Sequence, residues 1–191
     1  MKNTFFICLL LSLPVLGKAQ KHELSLTYSP LSLYSIEKIV DGPYPSQDNY
    51  KVVGGINLDY YQYLNPWLKI GANVMYDKAS VEGSRSRNYW MSSAIDPASR
   101  YKSTKHMFVI ASQIDFEYLQ HTKFKMSSGL SLGYANERLT NEGNTNNKFD
   151  VDGVTFHINL VSFRWGKKHG LTGNLGLGYK GLVNMGYFVR F

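Results

Sequence analysis

The sequence predicts an all-β chain folded as an eight-stranded antiparallel up-and-down transmembrane β-barrel. Three observations carry this expectation. Apolar residues recur at every second position through about eight segments of the 191 residues. The joins between those segments alternate between long and short. The last segment, Leu182 to Phe191, alternates as well and ends on an aromatic residue. A tilted strand crosses a bilayer in about nine to eleven residues, which is the reach of that last segment.

The chain begins with Met1-Lys2-Asn3, an apolar run from Phe5 to Leu16 and small residues at Gly17 and Ala19. This is the pattern of a cleaved export signal over residues 1–19, leaving a single barrel domain over residues 20–191. Cys8 lies inside the signal and is the one cysteine, so the mature domain can form neither a disulfide nor a thiolate metal site.

The first strand sets Leu24, Leu26 and Tyr28 against Ser25, Thr27 and Ser29. The second runs from Tyr50 to Tyr60 through Val52, Ile56 and Leu58, with Val53 breaking the alternation. Leu68, Ile70, Ala72, Val74 and Tyr76 mark the third, and Phe108, Ile110, Ile114, Phe116 and Tyr118 the fourth. Phe124, Met126, Leu130, Leu132 and Tyr134 give the fifth, backed by serine and glycine. Val154, Phe156, Ile158 and Leu160 give the sixth, opposite Thr155, His157 and Asn159. The seventh sets Leu171, Leu175, Leu177 and Tyr179 against Thr172, Asn174, Gly176 and Gly178. Val183, Met185, Tyr187, Val189 and Phe191 share a face of the eighth.

Long joins are expected at Leu31 to Asn49, Lys78 to Lys105 and Leu139 to Gly153. Short joins are expected at Tyr61 to Trp67, Leu119 to Thr122 and Trp165 to Gly170, with Lys180-Gly181 as a tight turn on the long-loop side. External loops and periplasmic turns alternate in this way. Aromatics cluster near strand ends. Tyr60, Trp67, Tyr118, Phe124, Trp165 and Phe191 would line one interface, and Tyr28, Tyr50, Tyr76, Phe108, Tyr134, Phe156 and Tyr179 the other.

A mean hydropathy of −0.26 suits such a barrel, because only alternate residues meet lipid. The net charge of +7 is too diffuse to indicate nucleic acid. The opposite strand faces must then fill a narrow interior. Lys51, Lys69, Lys125, Lys180 and Arg190 would meet Asp59, Asp77, Asp115, Glu117 and Glu137 there as a salt-bridged plug. A periplasmic lipocalin-like barrel is the competing architecture. It alternates too, with its apolar face turned inward around a ligand.

The terminal strand with Tyr187, Val189 and Phe191 resembles the C-terminal assembly signal of outer-membrane barrel proteins. The mature chain as a whole resembles the small barrels of the OmpX and OmpA-barrel kind. That resemblance implies an integral protein of a Gram-negative outer membrane, exported through its signal and inserted by the barrel-assembly machinery. Its partners would be outer-membrane lipid, lipopolysaccharide and possible surface proteins; it implies no cofactor, no metal and no catalytic residue. Small outer-membrane barrels include lipid A deacylases and palmitoyl transferases, but His157 with Asn159 lacks the His-x-Ser-Asn arrangement of the deacylases. A structural histidine explains it better. A small pore is a further alternative.

Two loop features complete the reading. The segment Lys78 to Lys105 carries Arg85, Arg87, Arg100, Lys102 and Lys105 beside Tyr89 and Trp90, a set able to contact lipopolysaccharide phosphates or a surface partner. Asp150, Asp152 and Gly153 resemble a piece of a calcium loop without its closing glutamate. A turn into a strand accounts for them.

Overall fold

A computed structural model describes residues 22–40, 49–84, 100–142 and 148–191. The expected signal segment, residues Arg85, Arg87, Tyr89 and Trp90, the side chain of Arg100, and residues 143–147 lie outside the described residues.

The chain order is β1 (His22–Ser29), α1 (Leu33–Val40), β2 (Asn49–Val52), β3 (Gly55–Asn65), β4 (Leu68–Ser84), β5 (Arg100–Gln120), β6 (Phe124–Glu142), β7 (Lys148–Gly166), β8 (His169–Gly178) and β9 (Val183–Arg190). Strand β1 pairs with β3 on one side and β9 on the other, and β3 through β9 pair in sequence, all antiparallel. Eight strands therefore close into the expected barrel. Strand β2 is an addition that pairs with β4 above the ring.

Period-two alternation decides which face points where. Glu23, Ser25, Thr27 and Ser29 are buried in β1, while Leu24, Leu26 and Tyr28 are 41 to 56% exposed. The same split runs through β3 to β9, with polar residues inside, apart from Met75, Ala79, Met107, Val109 and Ala111 of β4 and β5, and a belt of Leu, Ile, Val and aromatic side chains outside. This is the reverse of a lipocalin-like interior, and a surface so apolar is suited to lipid. Trp67 stacks on Phe116 and His22 on Phe191 at the short-turn end.

Several elements depart from expectation. The expected second strand is two strands, because Gly54 adopts a positive φ of 90° and a Cβ there would meet the Tyr28 ring and the Ser29 carbonyl at under 3 Å. This break falls beside Val53, where the alternation failed. Lys51 consequently lies exposed on β2 and not in the lumen. Glu137 sits half-buried in the upper part of β6, outside the described lumenal ion pairs. The expected long joins are shorter than the sequence suggested. Lys78–Ser84 pairs with Arg100–His106, and Lys148–Gly153 pairs with Ala135–Thr140, so these are strands. His106 is accordingly inside β5, and Asp150 and Asp152 are strand residues paired to Arg138 and Asn136.

Two parity changes were hidden as well. A bulge between Asn159 and Val161 turns Phe163 and Trp165 outward and Arg164 inward. Gly178, at φ 133°, lets the chain swing Tyr179 into the lumen, where it is 1% exposed. The sequence had placed Tyr179 in the outer aromatic ring.

Candidate functional surface and lumen

Strands β1, β3, β8 and β9 have 8 to 11 residues, whereas β4 to β7 have 17 to 21. About ten residues suffice to cross the bilayer, so four adjacent strands stand proud of the ring on the long-loop side. Their outward face changes character at a definite row. Tyr134 and Val154 pair across β6 and β7, and one pair beyond them lies the row of Tyr76, Phe108, Asn136 and Asp152 across β4 to β7. One pair further out, Lys78 faces His106, His106 faces Arg138, and Arg138 faces Asp150. Above these come Ser80, Thr104 and Thr140, then Glu82 opposite Lys102.

The result is a polar band directly above an aromatic row. The Tyr76 hydroxyl bonds His106 Nδ1 at 2.7 Å. Arg138 pairs with Asp150 at 3.2 Å and Lys102 with Glu82 at 3.6 Å, both half-exposed. A shallow depression of about 330 Å³ lies among Lys78, Ser80, Glu82, Lys102, Thr104 and His106. Cations alternating with hydroxyls can hold phosphate oxygens and sugar hydroxyls. Of the sequence-derived contact residues, Lys102 belongs to this band and Arg100 pairs with Ser84 at its upper edge. Lys78, His106 and Arg138 were not singled out, because their place above the aromatics depends on strand extension through segments read as loops.

The lumen beneath is filled by two networks. In the short-turn half, Glu23 is the hub. It is 2.5 Å from Arg164, 2.7 Å from Arg190 and 3.8 Å from Lys69, and it accepts from the Tyr63 hydroxyl at 3.0 Å. Lys69 also pairs with Asp115 at 3.2 Å, and Lys125 with Glu117 at 2.6 Å. Tyr61 lies beneath Lys69 and Arg164 as a cation–π platform. Of the expected lumenal charges, Lys69, Lys125, Arg190, Asp115 and Glu117 converge here. Glu23 and Arg164 were missed, the first for lack of an expected partner and the second because the bulge reverses its face.

In the long-loop half, Lys180 donates to Asp59 at 2.6 Å and to Gln113 at 3.1 Å. Asn73 joins Asp59 to the Tyr179 hydroxyl. Asn57, Ser29, Asn184 and Asn174 form an adjoining amide chain. His157 is 1% exposed and packs edge-on against Tyr179, with its ring nitrogens given no hydrogen-bond partner among the described residues. It lies inside the lumen, away from the lipid-facing surface.

Helix α1 closes this end. Tyr34 is 2% exposed and packs in a cluster with Met75, Ala79, Met107, Val109, Ala111 and Tyr179. Asp77 accepts from the Ser32 hydroxyl and from the Tyr34 and Lys78 amides, anchoring the segment before the helix. Tyr187, Val189 and Phe191, the expected assembly residues, lie on the outward face of the last strand and its end, 44 to 70% exposed. No group of three or more metal-ligating side chains occurs among the described residues.

No protein-family model and no curated protein matches the sequence. Among solved structures, the chain is similar to Ail, the attachment invasion locus protein of Yersinia pestis. The TM-score is 0.45 at 8% identity, covering 92% of this chain and 100% of that one. A second structure of Ail, in complex with the heparin analogue sucrose octasulfate, gives a TM-score of 0.45 at 9% identity over 90% and 97% of the two chains.

Proposed function

We propose that this chain is an integral barrel of a Gram-negative outer membrane, without catalytic activity, whose long-loop surface binds lipopolysaccharide phosphates and so supports membrane integrity. The carrying observation is the row Lys78, His106 and Arg138 set one pair beyond Tyr76 and Phe108. Aromatic rings settle at headgroup depth, which puts the Lys78 and Arg138 cations at the level of lipid phosphates with the His106 imidazole between them. On this reading the short turns face the periplasm and the long strands face outward. The expected contact residues Arg85, Arg87, Tyr89, Trp90 and Arg100 would bind the same phosphates or a surface protein.

Titration of lipopolysaccharide into the folded protein tests this. A Lys78→Glu/Arg138→Glu variant should bind at least about tenfold more weakly, as expected where charge-assisted contacts become repulsive. Unchanged affinity in a variant that still migrates as a folded, heat-modifiable band would overturn the proposal. The non-enzymatic reading is supported by the lumenal burial of His157. A His157→Ala variant should leave lipid A acylation in cells as it is with the wild type. The barrel-assembly machinery would read Tyr187, Val189 and Phe191, and Phe191→Ser should slow insertion without changing the folded product.

A further inference from the structure

The short-turn mouth of the barrel holds a vestibule of about 950 Å³, a size at which ligand sites commonly occur. Its side-chain charge is one-sided. Lys125, Lys167, Lys168 and Arg190 line it together with His121, and no acidic side chain does. The carboxylates nearest to it, Glu23 and Glu117, are buried beneath and already engaged by Arg164, Arg190, Lys69 and Lys125. Below the vestibule floor Lys69 and Arg164 face Glu23, Asp115 and Glu117, so the lining cations Lys125 and Arg190 complete that balance and the surplus positive charge lies at the rim on Lys167 and Lys168. Among the described residues, no carboxylate side chain pairs with Lys167 or Lys168, and Arg190 Nη2 is buried without a hydrogen-bond partner.

The rim is held in shape. Gln120 donates to the Pro66 carbonyl at 2.7 Å and Gly166 to Lys123 at 2.8 Å, so neighbouring turns are tied together. The Arg190 amide donates to the Lys168 carbonyl at 2.6 Å, and His22 and Phe191 exchange two backbone bonds across the barrel seam. A fixed ring of cations needs little reorganisation to receive an anion. Between the cations lie Tyr63, Leu64 and Pro66, an apolar surface that a small inorganic anion would leave unused, while the Phe191 side chain turns to the outward face. Tyr63, Lys125 and Arg190 face the barrel axis, which acyl-tethered headgroups at the outer rim do not reach.

We infer that this vestibule is a docking site for an acidic peptide segment of a periplasmic partner, bound through carboxylates on Lys167 and Lys168 and through apolar side chains on Leu64 and Pro66. Only the compartment of the partner rests on the orientation proposed above. The site itself is independent of lipopolysaccharide binding.

The test uses the full protein in nanodiscs of zwitterionic phosphatidylcholine and a fluorescent hexapeptide alternating glutamate with phenylalanine, followed by anisotropy. Binding should weaken at least about tenfold for the glutamine counterpart of the peptide and for Lys167→Glu/Lys168→Glu, as removal or reversal of interfacial charge implies. It should also weaken between about 50 and about 300 mM salt. Lys51→Glu, at the opposite end, should leave it unchanged. Equal binding of the glutamine peptide overturns the inference, as does undiminished binding by a heat-modifiable Lys167→Glu/Lys168→Glu barrel. Phosphatidylglycerol in the disc should not abolish binding; if it does, a lipid headgroup is the occupant and the peptide assignment fails.

Discussion

Glu23 shows how far one side chain can hold this molecule together. It is fully buried and lies within ion-pair distance of Arg164, Arg190 and Lys69, so it joins strands β1, β4, β7 and β9. Breaking a buried pair from one side costs about 3–5 kcal/mol, because the remaining charge is left unpaired. Glu23→Gln should therefore lower stability by an amount of that order, read from the urea midpoint of tryptophan fluorescence in micelles. A Glu23→Gln/Arg164→Met double variant should lose less than the sum of its single changes. Tyr34 offers a second residue-scale test. It covers Met75, so in a Cys8→Ser background Met75→Cys should resist thiol reagents and become labelled once Tyr34→Ala removes the cover.

At the scale of elements, β4 to β7 are continuous ladders through what the sequence suggested were loops. Paired backbone in a rigid sheet is a poor protease substrate. Trypsin applied to the folded protein should spare Lys78, Lys102 and Lys105, all of which occupy ladder positions. Cleavage at Lys102 would show that the projecting sheet opens. The reversal between β8 and β9 depends on Gly178, whose φ of 133° and close approach to the Phe156 carbonyl leave no room for a side chain. Gly178→Val should destabilise the barrel by about 1–3 kcal/mol, the cost of backbone held in a disfavoured region. The readout is again the unfolding midpoint.

For the whole molecule, closure of eight strands leaves an interior just wide enough for side chains to fill. The two lumenal networks occupy it, and α1 covers the long-loop end with Tyr34. Protein inserted into a planar bilayer should then show no stable single-channel conductance. Steady conductance from demonstrably folded protein would mean that the networks part readily. The exposed apolar belt and polar interior also predict a band whose gel mobility shifts on heating, and recovery of the protein with membranes.

Local residue order is enough to specify the barrel, its strand count around the ring and the outward apolar faces. These follow from period-two alternation, which local residue order carries completely once one face meets lipid. It also identified Lys69, Lys125, Lys180, Arg190, Asp59, Asp115 and Glu117 as lumenal, since parity within each strand suffices for that. Parity could not place Arg164 or Tyr179, because a bulge and a positive-φ glycine reverse the faces beyond them. Nor could it reveal Glu23 as a hub, because its partners come from strands far apart in sequence. The polar band of Lys78, His106 and Arg138 and the cationic vestibule likewise exist only after closure. Ring formation sets the register between strands and gathers separate turns around one axis, and no single segment encodes either.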